Sequence, residues 1–208
     1  MFPVNETKNG RRSGPWSIVD DKTGERQEGA YVDGKRVGPW TTWNEWGERL
    51  VRATYARGLK DGPYTSWQGT ELDRKYEEGC YRSGKRTGHW VLWGEHWPER
   101  SSGNYVNGKT AGTWESCDIL GEISRGELTD GRKQGLWTSL DAREHIAQEA
   151  MYSDGNKVWE IIYDEGVALR RIEYEHGKIS NITELARKAS EPPQQLGWLS
   201  RILKAVFR

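Results

Sequence analysis

The sequence predicts an all-β repeat array, an elongated antiparallel β-meander of hairpins ending in a short α-helical C-terminal tail. Three observations predict it. The pattern Gly-basic-x-x-Gly-x-aromatic, clearest in Gly84-Lys85-Arg86-Thr87-Gly88-His89-Trp90, recurs with first glycines at positions 10, 34, 58, 84, 108, 131, 155 and 177. A period of 22–26 residues held over that length marks stacked supersecondary units, not an accident of composition. Twelve Trp and nine Tyr fall mostly in fixed columns of this repeat. They supply a core to a chain whose mean hydropathy is only −0.92. Finally, the residues flanking each motif follow the two-residue period of strands.

Taken in order, each repeat begins with a run that carries a small residue two places before an aromatic, as in Gly29/Tyr31, Ala53/Tyr55, Gly79/Tyr81 and Gly103/Tyr105. Both positions lie on one face of a strand, and the small residue leaves a slot for a ring from the next strand. The Gly-x-x-x-Gly segment then forms one kind of turn. A second strand follows, rich in β-branched and aromatic residues, such as Trp40-Thr41-Thr42-Trp43 or Trp90-Val91-Leu92-Trp93. A polar segment such as Asn44-Glu45-Trp46-Gly47-Glu48 makes the other kind of turn, so all turns of one kind share one edge. Residues 1–180 form the array of seven to eight repeats. Its last two copies decay, with Trp159 and Asn181 in the second glycine's place.

The tail changes character. Asn181 with Glu184 three places on predicts an N-capped helix over residues 181–190 that closes the array. Pro192-Pro193 opens a stiff spacer, and residues 191–208 end in a basic amphipathic helix. That helix sets Trp198, Leu199, Ile202, Leu203 and Val206 on one face and Arg201, Lys204 and Arg208 on the other. This apolar face is expected to pack on the array, enter a partner groove or meet a lipid surface.

With its Tyr three places before the first glycine and its aromatic two places after the second, the repeat resembles the MORN type. It is closest to the bacterial variant in proteins labelled YwqK-family antitoxins. The resemblance covers roughly residues 7–180 and leaves the tail aside. It implies a non-catalytic scaffold, with toxin neutralisation or membrane association as its roles.

A formal net charge of zero conceals an arrangement by edge. Between the paired glycines, or the residues replacing them, stand twelve basic residues against one acid, Asp61. The opposite turns carry thirteen acids against three basic residues. The meander therefore predicts one basic and one acidic edge, either of which could steer an oppositely charged partner or simply be a solvated row of turns. Cys80 and Cys117 fall in different columns and are expected to be buried, reduced thiols. His89, His96, His145 and His176 share no column and no metal-ligand spacing. The paired glycines lead from strand to strand, without the following helix that a phosphate loop needs. We therefore expect no enzyme activity, no cofactor, no metal and no small-molecule substrate.

Two tryptophans stand in acidic-edge turns, Trp46 and Trp97. With Glu45, Glu48, Glu95, His96 and Glu99 they are the candidate partner-binding residues, unless each ring folds back over its own hairpin. The expected function is binding a protein partner, a toxin or effector, as an antitoxin or immunity-type protein. The alternative is a scaffold on an anionic membrane, using the basic edge and the terminal helix. Nucleic acid is the weaker partner, because no base-reading element accompanies the basic row. Neither a signal peptide nor a long apolar run is present, which predicts a cytoplasmic protein, peripheral to a membrane in the second reading.

Overall fold

The computed structural model describes residues 4–68, 74–96 and 98–185. It shows sixteen antiparallel strands side by side in one open sheet, in the order in which they occur in the chain. They are β1 (Glu6–Lys8), β2 (Arg11–Val19), β3 (Arg26–Val32), β4 (Lys35–Trp43), β5 (Arg49–Ala56), β6 (Leu59–Trp67), β7 (Lys75–Arg82), β8 (Lys85–Trp93), β9 (Arg100–Val106), β10 (Lys109–Cys117), β11 (Ile123–Thr129), β12 (Arg132–Leu140), β13 (Ile146–Ser153), β14 (Asn156–Asp164), β15 (Val167–Glu175) and β16 (Lys178–Glu184). This is the all-β meander that the repeat predicts.

The turn at the first glycine is tighter than the sequence suggests. Val106 pairs directly with Lys109, so Asn107-Gly108 alone makes the turn. Both residues have positive φ, 52° and 86°, the two-residue geometry whose twist matches the flanking strands. The second glycine is not part of the turn at all. Thr87 pairs with Cys80 and Val91 with Glu78, so Gly88, His89 and Trp90 together face Gly79. The strand bulges there, and Gly88 turns it with a φ of 66°. Pro15, Pro39 and Pro63 follow the second glycine in their copies, a bulge position where a missing N–H is tolerated.

The bulge is what builds the core. It lays each motif tryptophan flat over the small residue of the preceding strand, so a Cβ on Gly79 would lie 2.3 Å from Cδ2 of Trp90. The indole Nε1 then donates to the carbonyl of the residue after that small residue, Cys80 for Trp90 at 3.1 Å and Ala30 for Trp40 at 3.1 Å. Neighbouring tyrosines meet the indoles edge-on. Tyr81 and Tyr105 flank Trp90 with ring centroids 5.1 and 5.9 Å away.

A single sheet ordinarily lacks a second layer to cover its apolar face. Cations provide it here. The Arg86 guanidinium lies 4.3 Å over Trp90, Arg36 lies 4.2 Å over Trp40, and the Lys133 ammonium lies 4.1 Å over Trp137. Arg86 is fixed by Glu77 and by the Tyr105 hydroxyl. Beneath this lid Trp90 is fully buried. Burial also holds the Lys60 and Lys133 amines below the ordinary lysine value and pushes the Tyr64 phenol up to about 12.

Loss of the second glycine near the C-terminal end has a geometric meaning. In β14 only Val158 interrupts the ladder, between Lys157 and Trp159, and this shorter bulge brings Glu160 into the ring column. Glu160 is buried and accepts from Lys157 Nζ at 2.6 Å, from Gln148 Nε2 at 2.5 Å and from the Tyr174 hydroxyl. Burial and this carboxylate both push the Tyr174 phenol up.

Two expectations are corrected. Asn181–Glu184 belong to β16, paired with β15 through Ile182 and Ile172, so no helix opens at Asn181. The column of apolar residues is still running there, and pairing it continues the sheet. The rest of that helix, residues 186–190, lies outside the described residues, as do the spacer and terminal helix at 191–208. Cys80 is exposed and Cys117 half-buried, both as free thiols. Cys80 follows the slot residue Gly79, so it points to the outer face, which no second layer covers among the described residues.

Candidate functional site

The tight-turn edge is not the uniform basic row that composition suggests. Six of its twelve cations, Arg12, Arg36, Lys60, Arg86, Lys133 and Lys157, are folded inward over the rings. The residues that occupy the turns themselves include Asp33, Asp130 and Asp154. Lys109 pairs with Asp130 at 3.4 Å. The cations that remain outward, such as Arg11, Lys35 and Lys85, lay their stems against the turn glycine of the next repeat.

At the acidic edge the first residue of four turns has a structural task. The Asn44 side-chain oxygen accepts from the amides of Trp46 and Glu48 at 3.1 and 2.8 Å. Asp118 accepts from Leu120 and Glu122, and Asp141 from Arg143 and His145, all at 2.8–2.9 Å. Asp20 does the same for Lys22 and Thr23. These amides hold the Asp20 and Asp141 carboxyls below the ordinary aspartate value. Glu122 is pushed the other way, by burial first and then by the charges of Asp118 and Asp141.

This capping fixes what the turn displays. In each case the third residue stands at the apex: Lys22, Trp46, Leu120 and Arg143. Trp46 is 76% exposed and Leu120 69%, with Ile119 exposed beside it. Trp46 therefore does not fold back over its hairpin. Glu45 is exposed next to it, while Glu48 is half-buried and accepts from Asn44 Nδ2 at 2.6 Å. In the turn after β8, Glu95, His96 and Glu99 are exposed. The Glu99 amide donates to the His96 carbonyl at 2.9 Å. Trp97 and the terminal residues Trp198, Leu199, Arg201, Ile202, Leu203, Lys204, Val206 and Arg208 lie outside the described residues. The two predicted turns share the edge but lie four strands apart, roughly 19 Å, so they form a row and not one patch.

Sequence reasoning missed Leu120 and Ile119, and it missed a second set of tryptophans. Trp43, Trp67 and Trp93 stand three places after the core aromatic, an odd offset that puts them on the outer face. Arg26, Arg49 and Lys75 lie over their rings at 4.6, 4.7 and 5.8 Å. The offset was legible, and the strand period alone would have separated these rings from the core. Among the described residues no group of three or more His, Cys, Asp or Glu is placed to hold a metal ion. His89, His96, His145 and His176 are all exposed.

Fold and edges together define an open, single-sheet repeat protein that displays side chains from capped turns. No protein-family profile matches the sequence, and no curated protein matches it.

Proposed function

We propose that the chain is a non-catalytic scaffold of the antitoxin or immunity type, which neutralises a protein partner by covering it with the acidic-turn edge. The observation that carries this reading is the pair of apolar apices, Trp46 and Leu120. They occupy the same position of two capped turns on one edge, six strands or about 29 Å apart. An apolar side chain held out by a rigid turn among carboxylates suits a partner with an apolar pocket inside a basic rim. The resemblance of the repeat to the bacterial MORN variant supports the same reading.

The test is co-purification at moderate salt from the cell that makes the protein, followed by expression of the recovered partner with and without it. A partner that arrests growth alone and is silenced by the intact chain supports the proposal. Changing Trp46 and Leu120 together to Ser leaves the melting temperature unchanged and weakens binding by about 2 kcal/mol or more. Full neutralisation by that double variant would exclude the acidic edge. Recovery with the membrane fraction instead would favour a scaffold on anionic lipid.

A further inference from the structure

Each tight turn is closed by a pair of residues directly opposite each other. Five of the pairs after β3 combine unlike or neutral groups: Val32 with Lys35, Ala56 with Leu59, Val106 with Lys109, Thr129 with Arg132 and Ser153 with Asn156. The last, Glu175 with Lys178, joins opposite charges. The hairpin β7–β8 breaks the pattern by setting Arg82 opposite Lys85. Like charges held roughly 5 Å apart across a ladder destabilise it. Neither side chain has a hydrogen bond or ion pair among the described residues. Lys8 opposite Arg11 is the other such pair, on the three-residue edge strand β1.

Beside Arg82 and Lys85 lies a cleft of about 410 Å³, lined also by Ser83, Arg86, Thr87 and Asn107, with no acid in its wall. Behind the wall, Glu77 holds Arg86, and Asp61 accepts the Ser83 amide at 3.2 Å. The Arg86 guanidinium is spent on the ring face, over Trp90, so the cleft is left to Arg82, Lys85 and the two hydroxyls, which keep free donors. Two unpartnered cations side by side on one face, with hydroxyl donors and no acid lining the cleft, are the elements of an oxyanion site.

We propose that this cleft binds a phosphate monoester dianion carried by a soluble ligand. An isolated site is favoured over a lipid-facing surface because acids interrupt the same edge on both sides, at Asp33, Asp130 and Asp154. A dianion between Arg82 and Lys85 converts a repulsive pair into two charge-assisted hydrogen-bonding partners, so occupancy stabilises the hairpin.

The full chain is melted in inorganic phosphate and in chloride at matched ionic strength, then titrated with phosphoserine. The variants are Arg82→Val and Lys85→Leu, residues that stand at the equivalent places in Val106 and Leu59, so the fold accommodates them. In chloride Arg82→Val melts about 1–3 °C above the unaltered chain, because the repulsion is gone. Phosphate raises the melting temperature of the unaltered chain and not that of either variant, and phosphoserine binds the variants about tenfold more weakly or less. Equal increments from phosphate and chloride, or equal phosphate increments in chain and variants, would overturn the proposal. So would sedimentation with phosphatidylcholine vesicles doped with phosphatidic acid, if Arg82 is required for it and soluble phosphate has no effect.

Discussion

Gly29, Gly79, Gly103 and Gly126 each lie under the indole of the next strand, and the two alanines of the same column do not. Ala53 faces Tyr64 and Ala150 faces Glu160, the two copies in which the ring place opposite the small residue holds no tryptophan. The slot is thus matched to its occupant: a methyl group fits beneath a phenol or a carboxylate and collides with an indole. Tyr64→Trp alone should therefore cost about 1–3 kcal/mol, and adding Ala53→Gly should recover most of it. Urea midpoints of the single and double variants measure the coupling. Purely additive costs would mean that the slot adapts to its occupant without a glycine. The glycine column and its ring were legible in the sequence because their spacing never varies, but their matching was not, since it depends on which strand lies above. Trp46 was legible for the opposite reason, as the residue that fits no column. Leu120 was hidden because leucine in a turn carries no such contrast.

The turns and bulges show where reading by period fails. Paired glycines four residues apart look like the two ends of a turn, yet one closes the hairpin and the other bends the strand. Alternation is preserved on both sides of the bulge, and only pairing with the neighbouring strand reveals the extra residues. The helix expected at Asn181 failed similarly, since a capping pair of side chains is a local signal and the open ladder of β15 outweighs it. At the acidic edge the capped turns carry a pH signature. The amides of His145 and then Arg143 stabilise the ionised Asp141, so its folded value lies below the ordinary 3.8. The stability this gives is present above that ordinary value and is lost as pH falls through the folded one. Asn44 performs the same capping without a charge, so Asp141→Asn should keep the turn and lose the titration. The melting-temperature difference between the unaltered chain and this variant should shrink as pH is lowered from about 5 to about 2. A difference that stays constant over that range would mean that the amides do not favour the charged form.

Across the whole molecule, sixteen strands about 4.8 Å apart span roughly 70 Å, whereas a globular chain of this length has a radius of gyration near 17 Å. Small-angle scattering should therefore report a radius above about 20 Å with an elongated distance distribution. A value near the globular one would contradict an extended sheet. Among the described residues no strand pairs with any but its neighbours in sequence, and each pairing closes over a loop of a few residues. The entropy of closing each loop is correspondingly small, and no early segment waits for a late one. A chain leaving the ribosome from its N-terminus can therefore set each ring into its slot as soon as one further hairpin has emerged. Synthesis and folding then advance along the molecule in the same direction and at the same step.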